Sequence, residues 1–259
     1  MRVMNTEIAA LVRRHDPDRF LTALFAPPDK RDALFSLYAF NHELARAREV
    51  ASEPHMALIR LQWWREIVEG TRRRHPVATP LSDAIAHGLL LASDLLPIID
   101  AREIEADPSV ETLADWRSYL LAGAGGLAVA AGRLLGAPEP EALRPFGAAY
   151  GAAGVLRSAG VLAAQGRCLL PADVLAAHGL VPEAVTGGAN PEPALRQLAE
   201  EASGFLAAAR RIRVPKSAIA AALPLVLARR DLRRWPPRPA PRGFGDKFAV
   251  VVAGLTGML

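Results

Sequence analysis

The chain has 259 residues, of which 51% are hydrophobic and 22% charged, and its formal net charge is +4. This length and balance predict a globular protein with a large core and exclude an intrinsically disordered chain. The one cysteine, Cys168, excludes an internal disulfide and is expected to be a small buried hydrophobic residue.

Apolar residues recur at helical spacing along most of the chain, and no segment of useful length alternates as a half-buried strand does. The pattern predicts helices at 38–49, 56–70, 81–99, 112–136 and 145–166, the third of them ending near Pro97. Aromatic residues make up only 6% of the chain, which disfavours sheets. We therefore predict an all-α protein.

Neither end of the sequence has the pattern of a membrane-spanning or secretory segment. The first 20 residues lack the apolar core of a signal peptide. The longest apolar runs, 218–228 and 248–259, are shorter than the roughly 20 residues that a spanning helix needs. We expect a cytoplasmic protein, either soluble or peripheral on the inner membrane face.

Two glycine-rich features are interpreted as packing features of helices. The segment 123–132 follows no strand and lacks the spacing of a dinucleotide-binding fingerprint, so it is not expected to cradle phosphate. Gly147, Gly151 and Gly154 fall on or near one helix face, which predicts close approach of a neighbouring helix there.

Metal-binding patterns are absent from the sequence. The six histidines are not paired at helical spacing, and no HExxH motif or Cys/His cluster occurs, so no metal site is expected. Asp100, Glu103 and Asp107 share a helix face that could attract a cation, but a solvated acidic face is the preferred interpretation.

The basic stretch at 228–242 has two interpretations. It carries six arginines beside Trp235, namely Arg229, Arg230, Arg233, Arg234, Arg238 and Arg242. It could lie on anionic lipid headgroups while residues 248–259 enter the interface, or it could be a solvated helix end followed by a loop. Nucleic acid is not an expected partner, because aromatic residues do not interleave with these charges. We divide the chain into a helical part, 1–235, and a Pro/Arg-rich loop with a short apolar segment, 236–259, within the same domain.

Three blocks of sequence, at 30–89, 115–136 and 154–180, resemble the squalene/phytoene synthase family in order and wording. The third block, LR…GR.LLP.D.L..HGL, is the most specific, and the resemblance covers about residues 20–235. It implies a single-domain helical bundle of the isoprenoid-synthase type. Members of that family join two prenyl diphosphates head to head, and paired acids on two facing helices hold the Mg²⁺ ions that assist departure of diphosphate.

The two acidic motifs of the family align with residues 45–49 and 158–162, where this chain departs from the pattern. It has Ala45 and Glu49 in the first motif, and Ser158 and Leu162 in the second. One carboxylate remains where the chemistry needs about four, so the resemblance implies that catalysis of the family's usual type is lost. No cofactor is then expected.

Other positions of the family pattern are retained. The resemblance implies six candidate ligand-binding residues: Arg31, Tyr38, Asn41, Arg157, Gln165 and Arg167. A structural alternative remains open, in which Tyr38 packs in the bundle and the arginines brace helix ends.

The segments YAFNHELA and RLQWWREIVEG are most similar to the non-catalytic branch of the family that assists complex I assembly. This implies a binding or assembly protein whose partner is a respiratory-complex subunit, or whose ligand is an isoprenoid or other lipid. The Ala/Arg-rich sequence, without a transit-like leader, favours a bacterial origin. The alternative is a divergent transferase that condenses farnesyl or geranylgeranyl diphosphate in carotenoid or hopanoid biosynthesis. That enzyme would need Mg²⁺, held by Glu43, Glu49 and acids such as Asp100, Glu103 or Asp107.

Overall fold

The computed structural model describes residues 6–51, 53–107, 109–234 and 239–259, which are mostly helical. The longer helices are α1 (Thr6–His15), α2 (Pro17–Ala23), α3 (Arg31–Glu49), α4 (Pro54–Val68), α5 (Ala78–Ala86), α6 (Ala92–Glu103), α7 (Leu113–Leu120), α8 (Gly126–Leu134), α9 (Arg144–Ala164), α12 (Glu192–Ala209), α14 (Pro224–Arg233) and α15 (Phe244–Thr256). Three short helices complete the set: α10 (Ala172–Ala177), α11 (Pro182–Thr186) and α13 (Ile219–Ala222).

Local sequence signals explain several helix starts. Asp16 accepts a hydrogen bond from the backbone N–H of Arg19 at 3.0 Å and so caps α2. Thr112 and Asp115 form a reciprocal capping box at the start of α7. Pro54 and Pro224 lie in the first turns of α4 and α14, where the missing N–H costs no helical hydrogen bond.

The core is organised around α3 and α9. Helix α3 is buried along most of its length and packs against α1, α4, α5 and α8. Helix α9 packs against α12, α14 and the π-helical turn Leu121–Gly125, which joins α7 to α8. Small and apolar residues fill these contacts. The other helices pack around α3 and α9 and form a single domain with them.

Gly147 and Gly151 allow α9 to approach the π-helical turn closely. A Cβ atom on Gly147 would lie 2.0 Å from the carbonyl oxygen of Ala124, and one on Gly151 would lie 2.6 Å from the Cβ of Ala124. The prediction of close packing is therefore confirmed for these two residues. It was wrong for Gly154, which is exposed and has no such neighbour within 4 Å.

The predicted helix at 81–99 was wrong in its boundaries. The chain leaves α5 near Gly88, whose φ of +67° suits glycine, and it begins α6 at Ala92. Pro97 lies inside α6 instead of ending it. Apolar periodicity did not resolve this break because both helices bury apolar residues on either side of it.

A minor parallel pair of strands lies in the part of the core that packs against α9. Strands β1 (Ser109–Val110) and β2 (Cys168–Pro171) pair irregularly. Cys168 is buried in this pair as predicted, and burial raises the pKa of its thiol.

The C-terminal segment packs onto the same body. Helix α15 contacts α14 and α2, and a small cluster around Leu223, Leu227 and Val250 fills the contact. The proposed boundary between 235 and 236, like Trp235 and Arg238, lies outside the described residues. Among the helices of the described ranges, we find none that is both long and apolar enough to cross a membrane.

Candidate functional site

A cavity of about 350 Å³ opens between α3 and α9. Its walls come from α2, α3, α6, the 3₁₀ turn Ile104–Ala106, α7, the π-helical turn and α9, together with the residues that follow α9. Gly123 and Ala124 of the π-helical turn line the cavity, and turns of this kind are frequent at functional sites.

All four aligned positions of the acidic motifs face this cavity. Ala45 and Glu49 line it from α3, and Ser158 and Leu162 line it from α9. Glu49 is exposed, and the Ser158 hydroxyl donates to the carbonyl oxygen of Gly154 at 2.8 Å. The structure thus brings together the four residues that the sequence separates by more than a hundred positions.

The six candidate ligand-binding residues divide into two groups. Asn41, Gln165 and Arg167 line the cavity. Arg31, Tyr38 and Arg157 are not among its lining residues, and their contacts lie in the surrounding framework.

The three residues outside the cavity lining, Arg31, Tyr38 and Arg157, have their contacts within the helical framework. Arg31 donates to the carbonyl oxygens of Ala26 and Leu24 at 2.9 and 2.8 Å, after the end of α2. Tyr38 is buried, which raises the pKa of its hydroxyl. Arg157 donates to the carbonyl oxygen of Ala240 at 2.8 Å and contacts the Asp231 carboxylate. A role of these residues in ligand binding remains a prediction.

A buried ionic network closes one wall of the cavity, with Glu105 at its centre. The Glu105 carboxylate pairs with Arg102, accepts a hydrogen bond from the Tyr119 hydroxyl at 2.7 Å and pairs with Arg167 at 3.2 Å. Arg102 also donates to the side-chain oxygen of Asn41 at 3.1 Å, which links the network to α3. Glu105 is only 6% exposed, so its interactions with the three donors take place in a largely buried environment.

The network alters the pKa of its members. Burial alone would lower the pKa of the Arg102 guanidinium, but the attraction of Glu105 raises it above its ordinary value. Burial, followed by the charge of Glu105, raises the pKa of the Tyr119 hydroxyl. Tyr119 is therefore a neutral hydrogen-bond donor at physiological pH, and Arg102 remains a cation.

A second polar cluster contributes residues to the same cavity. The Arg19 guanidinium pairs with Asp16 at 2.8 Å and lies over the ring of Tyr150, 4.8 Å from its centroid. The Tyr150 hydroxyl donates to Asp18 at 2.9 Å. Burial is the main cause of the raised pKa of this hydroxyl. Both Arg19 and Tyr150 line the cavity.

The residues at the motif positions do not fit a cluster of Mg²⁺ ions. Magnesium requires oxygen ligands in near-octahedral geometry, whereas Ala45 and Leu162 offer none. Glu105 is already shared by two guanidinium groups and a hydroxyl. Within the ranges that the structure describes, no three or more His, Cys, Asp or Glu side chains are grouped to hold a metal ion.

The acids that a rebuilt metal site would need lie elsewhere, except Glu49. Glu43 pairs with Arg46 at 3.1 Å and lines a different cavity. Asp100 and Glu103 are exposed and pair with Arg65 at 2.7 and 2.8 Å. Asp107 is also exposed, so the interpretation of these acids as solvated is confirmed. The predicted shared helix face was wrong, because α6 ends at Glu103 and Asp107 is extended after a 3₁₀ turn.

Sequence reasoning did not identify Arg19, Arg102, Glu105, Tyr119 or Tyr150 as cavity residues. Arg102 and Glu105 lie three residues apart, which could have indicated a buried pair next to the exposed acids. The other three belong to separate helices, and only tertiary packing brings them to the same cavity.

Comparisons with known proteins agree with this architecture. The family model described as squalene/phytoene synthase matches residues 12–245. The human protein named NADH dehydrogenase (ubiquinone) complex I, assembly factor 6 is 28% identical over 181 residues, which cover 67% of this chain and 54% of that protein. Its Drosophila melanogaster homolog is 26% identical over 189 residues, covering 68% of this chain and 57% of the homolog. The chain spans about half the length of the curated relatives it matches.

Solved structures confirm the predicted fold. A dehydrosqualene synthase in complex with a ligand has a TM-score of 0.78 at 16% identity, covering 98% of this chain and 95% of its own. The squalene synthase HpnC from Alicyclobacillus acidocaldarius has a TM-score of 0.69 at 19% identity, covering 96% and 92%. At these low sequence identities, the structural similarity establishes only the fold, an isoprenoid-synthase-type bundle. With its family model matched over most of its length, the chain belongs to the squalene/phytoene synthase family.

Proposed function

We propose that this protein is a non-catalytic member of its family that acts by binding and assists the assembly of respiratory complex I. The observation that carries the first part is the composition of the cavity wall. The four aligned motif positions present Ala45, Glu49, Ser158 and Leu162, so one exposed carboxylate stands where the family uses paired acids.

This wall opposes the family reaction on electrostatic grounds. A departing diphosphate develops negative charge that clustered Mg²⁺ ions would neutralise, and such ions need several carboxylate ligands to gather against their mutual repulsion. At position 162, an apolar leucine side chain stands where the family pattern has an acidic metal ligand. The proposal therefore includes the loss of both acidic motifs and no metal cofactor.

The same cavity supports binding of an isoprenoid or other lipid ligand. Its lining combines apolar side chains with three arginines and two glutamates, so it can accept an apolar chain beside a polar or anionic group. The predicted ligand-binding residues that line this cavity are Asn41, Gln165 and Arg167. Arg167 is the most suitable for an anionic group because its guanidinium is held in place by Glu105.

The assembly role comes from the curated relatives. The human and Drosophila melanogaster proteins carry complex I assembly factor 6 in their names. By analogy, the partner here is a subunit of a respiratory NADH dehydrogenase. We expect the protein to come from a bacterium and to be located in its cytoplasm. Binding at the cavity and assembly are separable parts of the proposal, since a partner can contact the outside of the bundle.

Diphosphate release tests the non-catalytic part directly. The purified protein is incubated with farnesyl or geranylgeranyl diphosphate and Mg²⁺, with and without NADPH, against an EDTA control. We expect release at the EDTA level from a protein whose folding is verified by its thermal transition. Metal-dependent release above that level would establish the alternative, a divergent prenyltransferase.

A gain-of-ligand variant supplies the positive control for metal binding. Ala45→Asp, Ser158→Asp and Leu162→Asp together restore acids to the two facing helices. We expect Mg²⁺ with a prenyl diphosphate to raise the Tm of this triple variant but not of the wild type. An equal Mg²⁺-dependent shift in both proteins would mean that the wild type already holds the metal.

The assembly part is tested in the source organism. Deletion of the gene is expected to lower NADH:ubiquinone oxidoreductase activity and the amount of assembled complex on native gels, while succinate oxidation is unchanged. Restoration by the full chain supports the role. Normal complex levels in the deletion strain would reject it without bearing on the cavity chemistry.

A further inference from the structure

The outer face of α15 is apolar and has no partner within the described residues. Phe244 is 84% exposed and Leu255 is 65% exposed. The other large apolar side chains of this face, Phe248, Val252 and Met258, are also exposed, at spacings that form one stripe along the helix and past its end.

The opposite face of α15 is firmly attached to the bundle. Val250 and Ala253 are buried, and a Cβ atom on Gly254 would lie 2.5 Å from the Phe25 ring. From Phe248 to Leu255 the helix carries only apolar residues and glycine, which are expected to be covered on all sides, yet this helix is covered on one side only. The residues that the structure describes therefore leave the exposed stripe without a second apolar environment.

Ion pairs also fix the start of the helix. Asp246 is 3% exposed and accepts from Arg230 at 2.6 Å and from Arg234 at 2.8 Å. Just before α15, Arg242 pairs with Asp231 and Asp18 at 2.8 and 2.9 Å. With these contacts in place, the stripe cannot turn inward without breaking buried charge pairs.

The charge around the stripe is positive and lies at one end. Asp246 is the only acid of the segment 244–259, and two partly exposed arginines more than neutralise it. Lys247 is exposed between Phe244 and Phe248. The N-terminus of a helix carries partial positive charge as well, so the aromatic end of α15 combines apolar side chains with cationic charge.

We infer that α15 is a docking face for an anionic lipid bilayer, with Phe244 and Phe248 entering the interface and Lys247 contacting headgroups. An apolar stripe accompanied by cations, without exposed acids, is the pattern of an interfacial helix. Lipid binding by α15 does not depend on whether the cavity is catalytic, and its failure would leave the proposed function untouched.

Two other occupants are outcomes of the same test. A second copy of the chain would bury the stripe against itself and give concentration-dependent dimers. A protein partner would leave the purified chain monomeric and unbound to vesicles. The positive end of α15 favours the bilayer over a second copy, because the only acid of the segment 244–259, Asp246, is buried and a second copy would offer Lys247 no exposed acid from this segment.

Vesicle sedimentation of the full chain is the first measurement. Vesicles of phosphatidylcholine alone are compared with vesicles of phosphatidylcholine mixed with phosphatidylglycerol, at low and high salt. We expect binding to the anionic vesicles that weakens with salt. Phe244→Ser with Phe248→Ser should weaken it roughly tenfold to a hundredfold, because two aromatic side chains no longer leave water.

Two further variants keep the result decisive. Lys247→Glu is expected to weaken binding roughly fivefold or more at low salt and much less at high salt. The matched control is Leu58→Ser with Ile59→Ser, since both residues are exposed apolar side chains on α4, and it should bind like the wild type. Absence of vesicle binding, binding unaffected by the double phenylalanine variant, or dimers that this variant dissolves would each overturn the inference.

Discussion

The Glu105 network gives the sharpest prediction for the cavity wall. Replacing Glu105 by Gln keeps the shape of the side chain but removes the charge that faces Arg102 and Arg167. The two guanidinium side chains are only 15% and 11% exposed, so water does not readily replace the lost carboxylate. Removing one partner of a buried ion pair typically costs about 3–5 kcal/mol.

That cost is large for a protein of this size. Domains are stable by about 5–15 kcal/mol in total, so Glu105→Gln should remove a substantial fraction of the free energy of unfolding. At roughly 2–4 °C per kcal/mol, the corresponding fall in Tm is roughly 6–20 °C. Urea and thermal unfolding at neutral pH measure both quantities.

Glu103→Gln is the matched control. Glu103 lies two residues earlier and also pairs with an arginine, Arg65, but its side chain is 49% exposed. An exposed pair of this kind contributes about 1 kcal/mol or less. If Glu105→Gln were no more destabilising than Glu103→Gln, Glu105 would not be the required counter-ion of the two arginines.

Three other predictions concern helix packing and pH. Gly147→Ala should destabilise the protein by roughly 1–3 kcal/mol or more, because the new Cβ meets backbone atoms. Gly154→Ala on the same helix should be neutral or should stabilise the protein by up to about 1 kcal/mol. Urea unfolding measures both changes, and equal losses in the two variants would contradict the close approach of α9 to the π-helical turn. Hydrogen bonds from Arg234 and Arg230 hold the pKa of Asp246 well below its usual range, so its contribution to stability is present above about pH 4 and is lost as the pH falls toward the lowered pKa. The difference in unfolding free energy between Asp246→Asn and wild type should therefore shrink from about pH 6 to about pH 3, and a constant difference would refute the assignment. Burial lowers the pKa of His42, so stability should fall as the pH decreases below about 6.5, and His42→Asn should reduce this slope; an unchanged slope would exclude His42 as its source.

The helical class and most of the framework could be predicted from the sequence. Regular apolar spacing and abundant small residues identified α3, α4 and α9, because a helix buries a stripe whose period is visible in one dimension. The same spacing could not place the break between α5 and α6, since both sides of the break are apolar and the turn depends on one glycine conformation.

The site was partly predictable for a different reason. The resemblance to a family aligned Ala45, Glu49, Ser158 and Leu162, and the structure places all four on one cavity. It also named Arg31 and Arg157, whose hydrogen bonds go to backbone carbonyls near α2 and before α15. Sequence alignment identifies positions but not the partners that occupy their polar groups.

The amino-acid sequence by itself determined which chemical groups the motif helices carry, because ligand atoms are a property of each residue. Only the tertiary structure decided that Glu105 lies buried between two arginines and that one face of α15 remains uncovered. Both facts depend on which helices meet in space. The packing of distant segments sets burial and charge environment, and a linear pattern does not contain that information.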